Sequence, residues 1–162
     1  VNLQRLVSLY WQGVIITSAY SSRRREVSIM GSQENYEAIP IGMDLGTLEM
    51  TLDEETVRGR IELVQWQAKG LAEKGFAPPG LTISQHARMK FAALPEMKAS
   101  IWAKSEQEFL KPMKLSSKVF IRGTVVDKYV KRGRNYMVTD LETVDEAGEV
   151  LLRSRETAVY VE

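Results

Sequence analysis

The stretch KVFIRGTVVDKYVKRGRNYMVTDLETVDEAGEVLLRSRETAVYV, residues 118–161, decides the fold of this chain. It contains three long runs rich in valine, threonine and tyrosine, which are residue types that favour strands. The runs are separated by KRGR and DEAGE, where Gly133 and Gly148 allow the left-handed backbone conformation of a tight turn. Consecutive strands joined by tight turns pair antiparallel. We therefore predict an antiparallel meander of three strands.

A further strand is predicted upstream of the meander, in SIWAKSEQEFL at residues 100–110. Apolar and charged residues alternate there, as they do in a strand with one exposed face. The residues expected on the charged face are Trp102, Lys104, Glu106 and Glu108, opposite Ile101, Ala103 and Phe109. We interpret Trp102 as a core or dimer-contact residue rather than a platform for a substrate.

Two helices are predicted before this strand. In the first, Thr51 and Glu54 have the spacing of a capping box, and the helix is expected to end near Gly70. Its apolar stripe consists of Val57, Ile61, Val64 and Ala68. The second helix follows APPG and is stopped by Pro95. Its apolar stripe consists of Ile83, Ala87, Phe91 and Leu94.

The order of these elements predicts the fold class. The segment DLGTLEMTL, residues 44–52, is weakly alternating and is interpreted as a first strand. The chain therefore runs through one strand, two helices and four strands. This order indicates an α+β fold, in which the helices pack on one face of a single antiparallel sheet.

Composition excludes several classes of function. The chain has 162 residues, enough for one domain with one hydrophobic core. Its 22 Lys and Arg balance 21 Asp and Glu, so no overall charge attracts nucleic acid or an anionic membrane. There is no cysteine and only one histidine, which excludes disulfides, a thiol nucleophile and a multi-histidine metal site within one subunit. We expect a cytoplasmic protein with no metal and no cofactor.

The first 29 residues form a separate case. The apolar run LVSLYWQGVIITSAY is short, is interrupted by polar residues and precedes its basic cluster, unlike a secretory signal. We expect residues 1–29 to be a non-native or disordered extension upstream of a start at Met30. The alternative is an amphipathic segment that touches a membrane. Residues 30–162 are predicted to form a single domain.

Three segments resemble a known family: FAPPG at residues 76–80, EQEFLKPMKLSSKV at 106–119, and the meander from Gly123 to Val161. Together they resemble a hot-dog fold domain of the MaoC-like acyl dehydratase group, and within it the N-terminal dehydratase-type half. The resemblance implies an antiparallel sheet wrapped around a central helix and a second hot-dog subunit as partner. It also implies that a thioester of coenzyme A or of an acyl carrier protein binds between the two units.

The resemblance also implies where the chemistry lies. Active relatives carry an aspartate and, five positions later, a histidine after the first helix, where they serve as general base and acid. Here that place is occupied by QAKGLAEKG, residues 67–75, which contains neither residue type. By contrast, Gly80 stands at the family's glycine position before the central helix. The resemblance thus implies that Gly80 and Leu81 bind the thioester carbonyl and that the catalytic dyad is absent.

His86 is the only imidazole and therefore a candidate catalytic residue. It has no counterpart in the family's dyad, and a structural histidine that faces the sheet or the solvent is the competing interpretation. Catalysis would require a carboxylate from elsewhere, and Glu73 is the nearest in sequence. Its flanking lysines are more typical of an exposed helix end.

The turn KYVKRGRNY concentrates positive charge beside two tyrosines. Lys131, Arg132 and Arg134 are candidates for binding the phosphates of coenzyme A or the acidic surface of a carrier protein. A solvated hairpin tip is the alternative.

Three functions remain open. In the first, the chain is a subunit of an enoyl-coenzyme A hydratase or 3-hydroxyacyl dehydratase that supplies half of the acyl pocket to a catalytic partner. In the second, it is a non-catalytic homodimer that binds acyl-coenzyme A. In the third, it is a hot-dog thioesterase that uses a carboxylate near the helix, for which Glu73 and Glu96 are the candidates.

Overall fold

The computed structural model describes residues 35–65 and 70–161. The predictions for residues 1–29 and for Ala68 lie outside these ranges. The strands are β1 (Asp44–Thr51), β2 (Phe76–Ala77), β3 (Ala99–Phe109), β4 (Met113–Lys114), β5 (Lys118–Lys131), β6 (Arg134–Asp145) and β7 (Val150–Val161). The helices are α1 (Glu54–Leu63), α2 (Gly70–Glu73), α3 (Gly80–Ile83) and α4 (His86–Ala93). Residues 35–38 are also helical.

Five of the strands form one antiparallel sheet in the order β1-β5-β6-β7-β3, and β2 and β4 form a small second pair. The predicted meander is confirmed, because β5, β6 and β7 are consecutive neighbours in this sheet. Its two turns contain Gly133 at φ +69° and Gly148 at φ +80°, the conformation for which glycine was expected. The α+β class is confirmed as well, since the helices accompany a single main sheet.

A β-bulge in β3 makes the predicted face wrong for Trp102 and Ile101, whereas Lys104, Glu106 and Glu108 share one face as predicted. The register shifts between Trp102 and Lys104, so the alternation of side chains changes phase at Ala103. Trp102 consequently shares the inner face of the sheet with Gln107, whose amide contacts the Ser154 hydroxyl. Ile101 instead joins the charged residues on the outer face. A simple alternation rule cannot anticipate one extra residue.

The first helix is shorter than predicted and has a different cap. Its N-cap is Asp53, whose carboxylate accepts a hydrogen bond from the Thr56 amide at 2.7 Å, so the capping box with Thr51 is wrong. The helix ends at Leu63 rather than near Gly70. Val57 and Ile61 are buried as expected, whereas Val64 is exposed.

Helices α3 and α4 together form the central helix. They are joined by Ser84 and Gln85, whose backbone angles also lie in the right-handed helical region, and Leu94 ends the run as expected. Leu94 of the predicted stripe is buried, but Phe91 is 36% exposed, so the buried face is offset from the prediction by about one residue. The residues that face the sheet are Thr82, His86, Met89 and Lys90, all buried. Two of these four are ionisable, and for that reason a hydropathy pattern assigns them to the solvent.

The central helix lies close against the sheet at Gly123. A Cβ atom at this position would stand 3.2 Å from Met89 Sδ and 3.2 Å from Leu141 Cδ2. The absence of a side chain therefore sets the distance between the helix and strand β5.

The interior contains two hydrophobic clusters with polar residues between them. One cluster includes Met89, Leu141 and Tyr160, and the other includes Leu81 and Leu152. On the inner face of β7, Ser154 and Glu156 lie between Leu152 and Tyr160, and both are buried. The inner face of β6 likewise carries the buried Thr139 and Thr143. A polar belt thus crosses the core where the central helix meets the sheet.

Candidate functional site

A buried ionic cluster connects the central helix to the sheet. Glu156 on β7 contacts His86 Nδ1 through Oε1 at 2.7 Å and accepts a hydrogen bond from Lys90 Nζ through Oε2 at 2.6 Å. Trp102 Nε1 on β3 donates to the same Oε2 at 3.0 Å. The residues His86, Lys90 and Glu156 each have 0% exposure. Because His86 and Lys90 are one helical turn apart, they can share this single carboxylate.

The electrostatics of the cluster keep Glu156 ionised. Burial alone would raise the pKa of this carboxyl, but the hydrogen bond from His86 and the charge of Lys90 outweigh it, so the pKa lies below its ordinary value. An ionised carboxylate only accepts hydrogen bonds, so His86 Nδ1 must carry the proton in this contact. His86 Nε2 is buried and has no hydrogen-bond partner within the described residues.

The pairing of an imidazole with a carboxylate is also the arrangement of a general-base dyad. The surroundings of His86 and Glu156 do not favour general-base catalysis. His86, Lys90 and Glu156 line neither of the two surface grooves described below. Lys90 also neutralises the carboxylate that would orient the imidazole. In this geometry the cluster joins α4 to β7 and is closed to a substrate.

Sequence reasoning missed Glu156 and Lys90 as partners of His86. The carboxylate considered was Glu73, which is close to His86 in the sequence but is exposed on α2 and takes no part in the cluster. A signal was present in the strand pattern, because Glu156 alternates with Ser154 and Ala158 on the face that becomes the interior. The helix pattern carried the second signal, a polar pair at positions i and i+4.

An apolar groove lies at the start of the central helix. Its volume is about 310 Å³. It is lined by Leu71, Phe76, Ala77, Pro79, Phe109, Leu110, Lys111, Pro112 and Met113. Among the described residues that line it, Lys111 alone is charged, and it contacts Glu149. The groove is thus bounded by the helix start on one side and by the end of β3 on the other.

Gly80 lies next to this groove, directly after its lining residue Pro79. The described residues provide no hydrogen-bond acceptor for the Gly80 amide, and a Cβ atom at Gly80 would meet nothing within 4 Å. The amide of Leu81, by contrast, donates to the Pro78 carbonyl at 3.1 Å. Of the two residues predicted to bind a carbonyl, Gly80 therefore has the free donor, whereas the donor of Leu81 is engaged.

The basic tip, which we define as Lys131, Arg132 and Arg134, lies at the other end of the sheet. These residues are exposed in the turn between β5 and β6. Phe109 on β3 lines the groove. It pairs with Leu152 on β7, and Leu152 pairs with Thr143 on β6, so Thr143 marks the position of the groove along β6. Arg134 stands about 30 Å from Thr143 along β6, at roughly 3.3 Å per residue. The structure therefore does not bring the basic tip and Gly80 of one chain together.

The outer face of the sheet carries a second, larger groove of about 670 Å³. Its charges are mutually paired: Arg122 bonds to Glu142 at 2.9 Å, and Arg155 bonds to Asp140 at 2.6 Å. Arg153 also bonds to Glu142, at 3.3 Å. Because these charged groups already form ion pairs with one another at an exposed surface, we interpret the groove as a solvated row of ion pairs.

The remaining candidates lie away from the helix start. Glu73 and Glu96 are exposed and do not line the apolar groove. Across residues 35–65 and 70–161 there is no group of His, Asp or Glu residues that could hold a metal ion. Within the same ranges, no helix has the length and apolar character needed to cross a membrane.

No family model matches the sequence, and no curated protein matches it. Solved structures do. The (R)-hydratase from A. caviae involved in PHA biosynthesis aligns with a TM-score of 0.66 at 13% identity, over 77% of this chain and 99% of its own. The MaoC-like dehydratase from Rhodospirillum rubrum aligns with a TM-score of 0.63 at 14% identity, over 78% of this chain and 96% of its own.

A third solved structure aligns over a similar share of this chain. The HadBC 3R-hydroxyacyl-ACP dehydratase complex from Mycobacterium tuberculosis aligns with a TM-score of 0.61 at 15% identity, over 74% of this chain and 96% of its own. These similarities confirm the predicted hot-dog fold, an antiparallel sheet wrapped around a central helix.

Proposed function

We propose that this chain is the acyl-thioester-binding half of a hot-dog hydratase or dehydratase, and that a paired hot-dog unit supplies the general acid and base. One observation carries the proposal. At the start of the central helix the Gly80 amide has no acceptor among the described residues and lies beside an apolar groove, while the chain's single imidazole contacts a carboxylate inside the core.

The binding role rests on Gly80 and the groove. A thioester oxygen that accepts a hydrogen bond from the Gly80 amide would be polarised by that donor and by the helix dipole. An acyl chain in the adjacent groove would contact Phe76, Ala77 and Met113, which provide apolar surface. Similar grooves with a few polar groups are the usual form of small-molecule sites.

The need for a partner rests on His86. Water activation requires an imidazole or carboxylate within hydrogen-bond reach of the reacting atoms. His86 has 0% exposure and its Nδ1 atom is bonded to Glu156, so it is not positioned to deliver water. The acid and base must then come from another chain.

Strand β3 is the edge to which a partner would bind. It is the terminal strand of the sheet, and its outward backbone groups are unpaired within the described residues. Its exposed apolar side chains are Ile101 at 57%, Trp102 at 50% and Phe109 at 59%. An exposed edge with large apolar residues favours pairing with another strand. One of the similar structures is itself a complex, which supports this arrangement.

The test is an assay of crotonyl-coenzyme A hydration with the purified chain alone and with candidate hot-dog partners that carry the Asp-x-x-x-x-His segment. We expect no hydration by the chain alone and hydration by the pair. Gly80→Leu in the pair should abolish activity, while Gly59→Leu, at an exposed position on α1, is the matched control. Hydration by the chain alone would reject the requirement for a partner.

A homodimeric acyl-coenzyme A-binding protein is the second candidate. It is favoured by the charge pattern of β3, in which Lys104 and Glu106 already bond to each other at 2.5 Å. Lys104 and Glu106 can also pair with the same residues of a second, antiparallel copy. Calorimetry with octanoyl-coenzyme A separates the candidates, because this alternative predicts binding without hydration even when partners are present.

A further inference from the structure

We propose that the core of this chain binds an internal water molecule between the central helix and the sheet, held by His86 Nε2, Lys90 Nζ and Thr139 Oγ1. The proposal does not rest on the proposed function, because these three residues line neither groove. It rests on three buried polar groups whose hydrogen bonds the described residues leave incomplete.

The first group is the imidazole nitrogen of His86 that points away from Glu156. Since Nδ1 carries the proton in the contact with Glu156, Nε2 of a neutral imidazole is a hydrogen-bond acceptor. Nε2 has no partner within the described residues, and His86 has 0% exposure. A buried acceptor without a donor is costly, and native proteins satisfy most such atoms with a protein group or an ordered water. Nε2 therefore requires a donor.

The second group is the ammonium of Lys90, which carries three N–H donors. Among the described residues, its side-chain acceptor is Glu156 Oε2 at 2.6 Å. The same carboxylate is also engaged by His86 and by Trp102. Lys90 has 0% exposure, so its remaining donors do not reach the bulk solvent. A buried ammonium with donors to spare requires a further acceptor inside the core.

The third group is the hydroxyl of Thr139, on the inner face of β6. Thr139 pairs directly with Glu156 of β7, so the two side chains share a face and their Cβ atoms are about 4.5–5.5 Å apart. Thr139 is 1% exposed, and its Oγ1 atom has no partner within the described part of the chain. The register thus places an unpaired hydroxyl beside the carboxylate that His86 and Lys90 share.

The chemistry of these groups identifies the ligand. His86 Nε2 requires a donor, the Lys90 ammonium requires an acceptor, and a hydroxyl can serve as either. The ligand must therefore both donate and accept, and it should be uncharged, since Lys90 and Glu156 already balance each other. Water is the usual occupant of a buried polar site, where it makes about three hydrogen bonds.

The consequence for the fold is a second connection of the central helix. Glu156 joins the helix to β7, and the water would join it to β6 through Thr139. Because the site lies in the core and lines neither groove, this water is a structural component and not the reactant of a hydration.

Thr143 provides a matched control on the same strand. It faces the interior like Thr139, has 0% exposure, and its hydroxyl is also unpaired within the described residues. It stands four residues from Thr139, about 13 Å along β6, and its partner on β7 is Leu152 rather than a charged residue. One water molecule cannot bridge both hydroxyls, so Thr143 lies outside the site.

A crystal structure of the full chain tests the geometry. We expect an ordered water at about 3 Å from His86 Nε2 that also contacts Lys90 Nζ, Thr139 Oγ1 or both. A direct hydrogen bond between Nε2 and the Thr139 hydroxyl would overturn the proposal. So would an Nε2 atom that is packed only against carbon atoms.

Solution NMR tests the same site without a crystal. The chain has one histidine, so the imidazole signals are unambiguous. We expect a nuclear Overhauser effect from water to the two carbon-bound ring protons that flank Nε2, in wild type and equally in Thr143→Val. Its absence in wild type would overturn the proposal.

Urea denaturation gives a test of opposite sign. Replacement of an unsatisfied buried hydroxyl by a methyl group stabilises a protein, whereas replacement of a hydroxyl that is bonded to water does not. We therefore expect Thr139→Val to have a lower unfolding midpoint than Thr143→Val. A midpoint for Thr139→Val that equals or exceeds that of Thr143→Val would show that the Thr139 hydroxyl holds no water.

Discussion

His86 and Glu156 are 70 residues apart in the sequence, yet His86 Nδ1 lies 2.7 Å from Glu156 Oε1 inside the core. Lys90, one turn further along the central helix, bonds to the other oxygen of the same carboxylate. Two side chains of the central helix thus contact the carboxylate of one strand residue. Because His86, Lys90 and Glu156 are all buried, we expect their contacts to fix the rotation of the central helix against the sheet more specifically than apolar packing would.

Removal of the carboxylate should destabilise the fold. Glu156→Gln leaves Lys90 buried without an opposite charge, and we expect a loss of about 3 kcal/mol in the free energy of unfolding. Urea denaturation followed by far-UV circular dichroism provides the measurement. Glu106→Gln is the matched control, since Glu106 pairs with Lys104 at the exposed surface and its loss should cost far less. Equal effects of the two variants would argue that Glu156 carries no buried ion pair.

The same carboxylate should make stability depend on acid pH. The folded state lowers the pKa of Glu156 below its ordinary value of 4.5, so the folded chain binds this proton less readily than the unfolded chain does. The stabilisation is therefore complete above pH 4.5 and is lost as the pH falls through the folded-state pKa. We expect the difference in melting temperature between wild type and Glu156→Gln to shrink below pH 4.5. A difference that is constant from pH 7 to pH 3 would contradict an ionised Glu156.

The meander could be predicted from sequence because its determinants are local. Gly133 and Gly148 mark the turns, and the alternation of apolar residues marks the strands between them. The face of the central helix could not be predicted in the same way. His86 and Lys90 are buried only because Glu156 arrives from a distant strand, and nothing near them in the sequence announces that partner.

The candidate site was predictable to a similar degree. Gly80 follows two prolines at the start of a helix, which is local information, and its amide has no acceptor among the described residues. The location of the basic tip depends on the register of β5, β6, β7 and β3, since each pairing adds to the offset between the tip and the groove. Such offsets are long-range properties. The bulge at Ala103 likewise comes from the pairing of β3 with β7.

Gly80→Ala should separate thioester binding from stability. A Cβ atom at this position meets nothing within 4 Å, and alanine is favoured over glycine in a helix by up to about 1 kcal/mol. We therefore expect unchanged or slightly raised stability, together with weaker binding of octanoyl-coenzyme A because a methyl group occupies the approach to the amide. Calorimetry measures the binding. Gly59→Ala is the control, since Gly59 is equally unobstructed on α1 and its substitution should leave affinity unchanged. Unaltered affinity in Gly80→Ala would remove Gly80 from the site.

Gly123→Ala should loosen the contact between the central helix and the sheet. The added methyl carbon would stand 3.2 Å from Met89 Sδ and 3.2 Å from Leu141 Cδ2, which is closer than ordinary contact. Overpacking of this kind costs about 1–3 kcal/mol. Thermal unfolding reports the loss, and Gly123→Ala should cost less in a Met89→Ala background than in wild type, because the methyl group then has room. If Gly123→Ala is as stable as wild type, the helix is not held against β5 at this point.

A charge swap in β3 tests the register of the pair directly. In the homodimeric candidate, an antiparallel pair of β3 strands with its two-fold axis at Ser105 would place Lys104 opposite Glu106 of the partner subunit. Lys104→Glu then places acids opposite one another, so we expect the dimer to dissociate at least about 10-fold more readily at low salt. Glu106→Lys should weaken pairing for the converse reason. The double variant Lys104→Glu/Glu106→Lys restores opposite charges at both contacts and should regain wild-type association. Analytical ultracentrifugation at low and high salt measures each case. A double variant that is weaker than both single variants would reject the Ser105 register, since the swap then adds two independent losses instead of rebuilding two pairs.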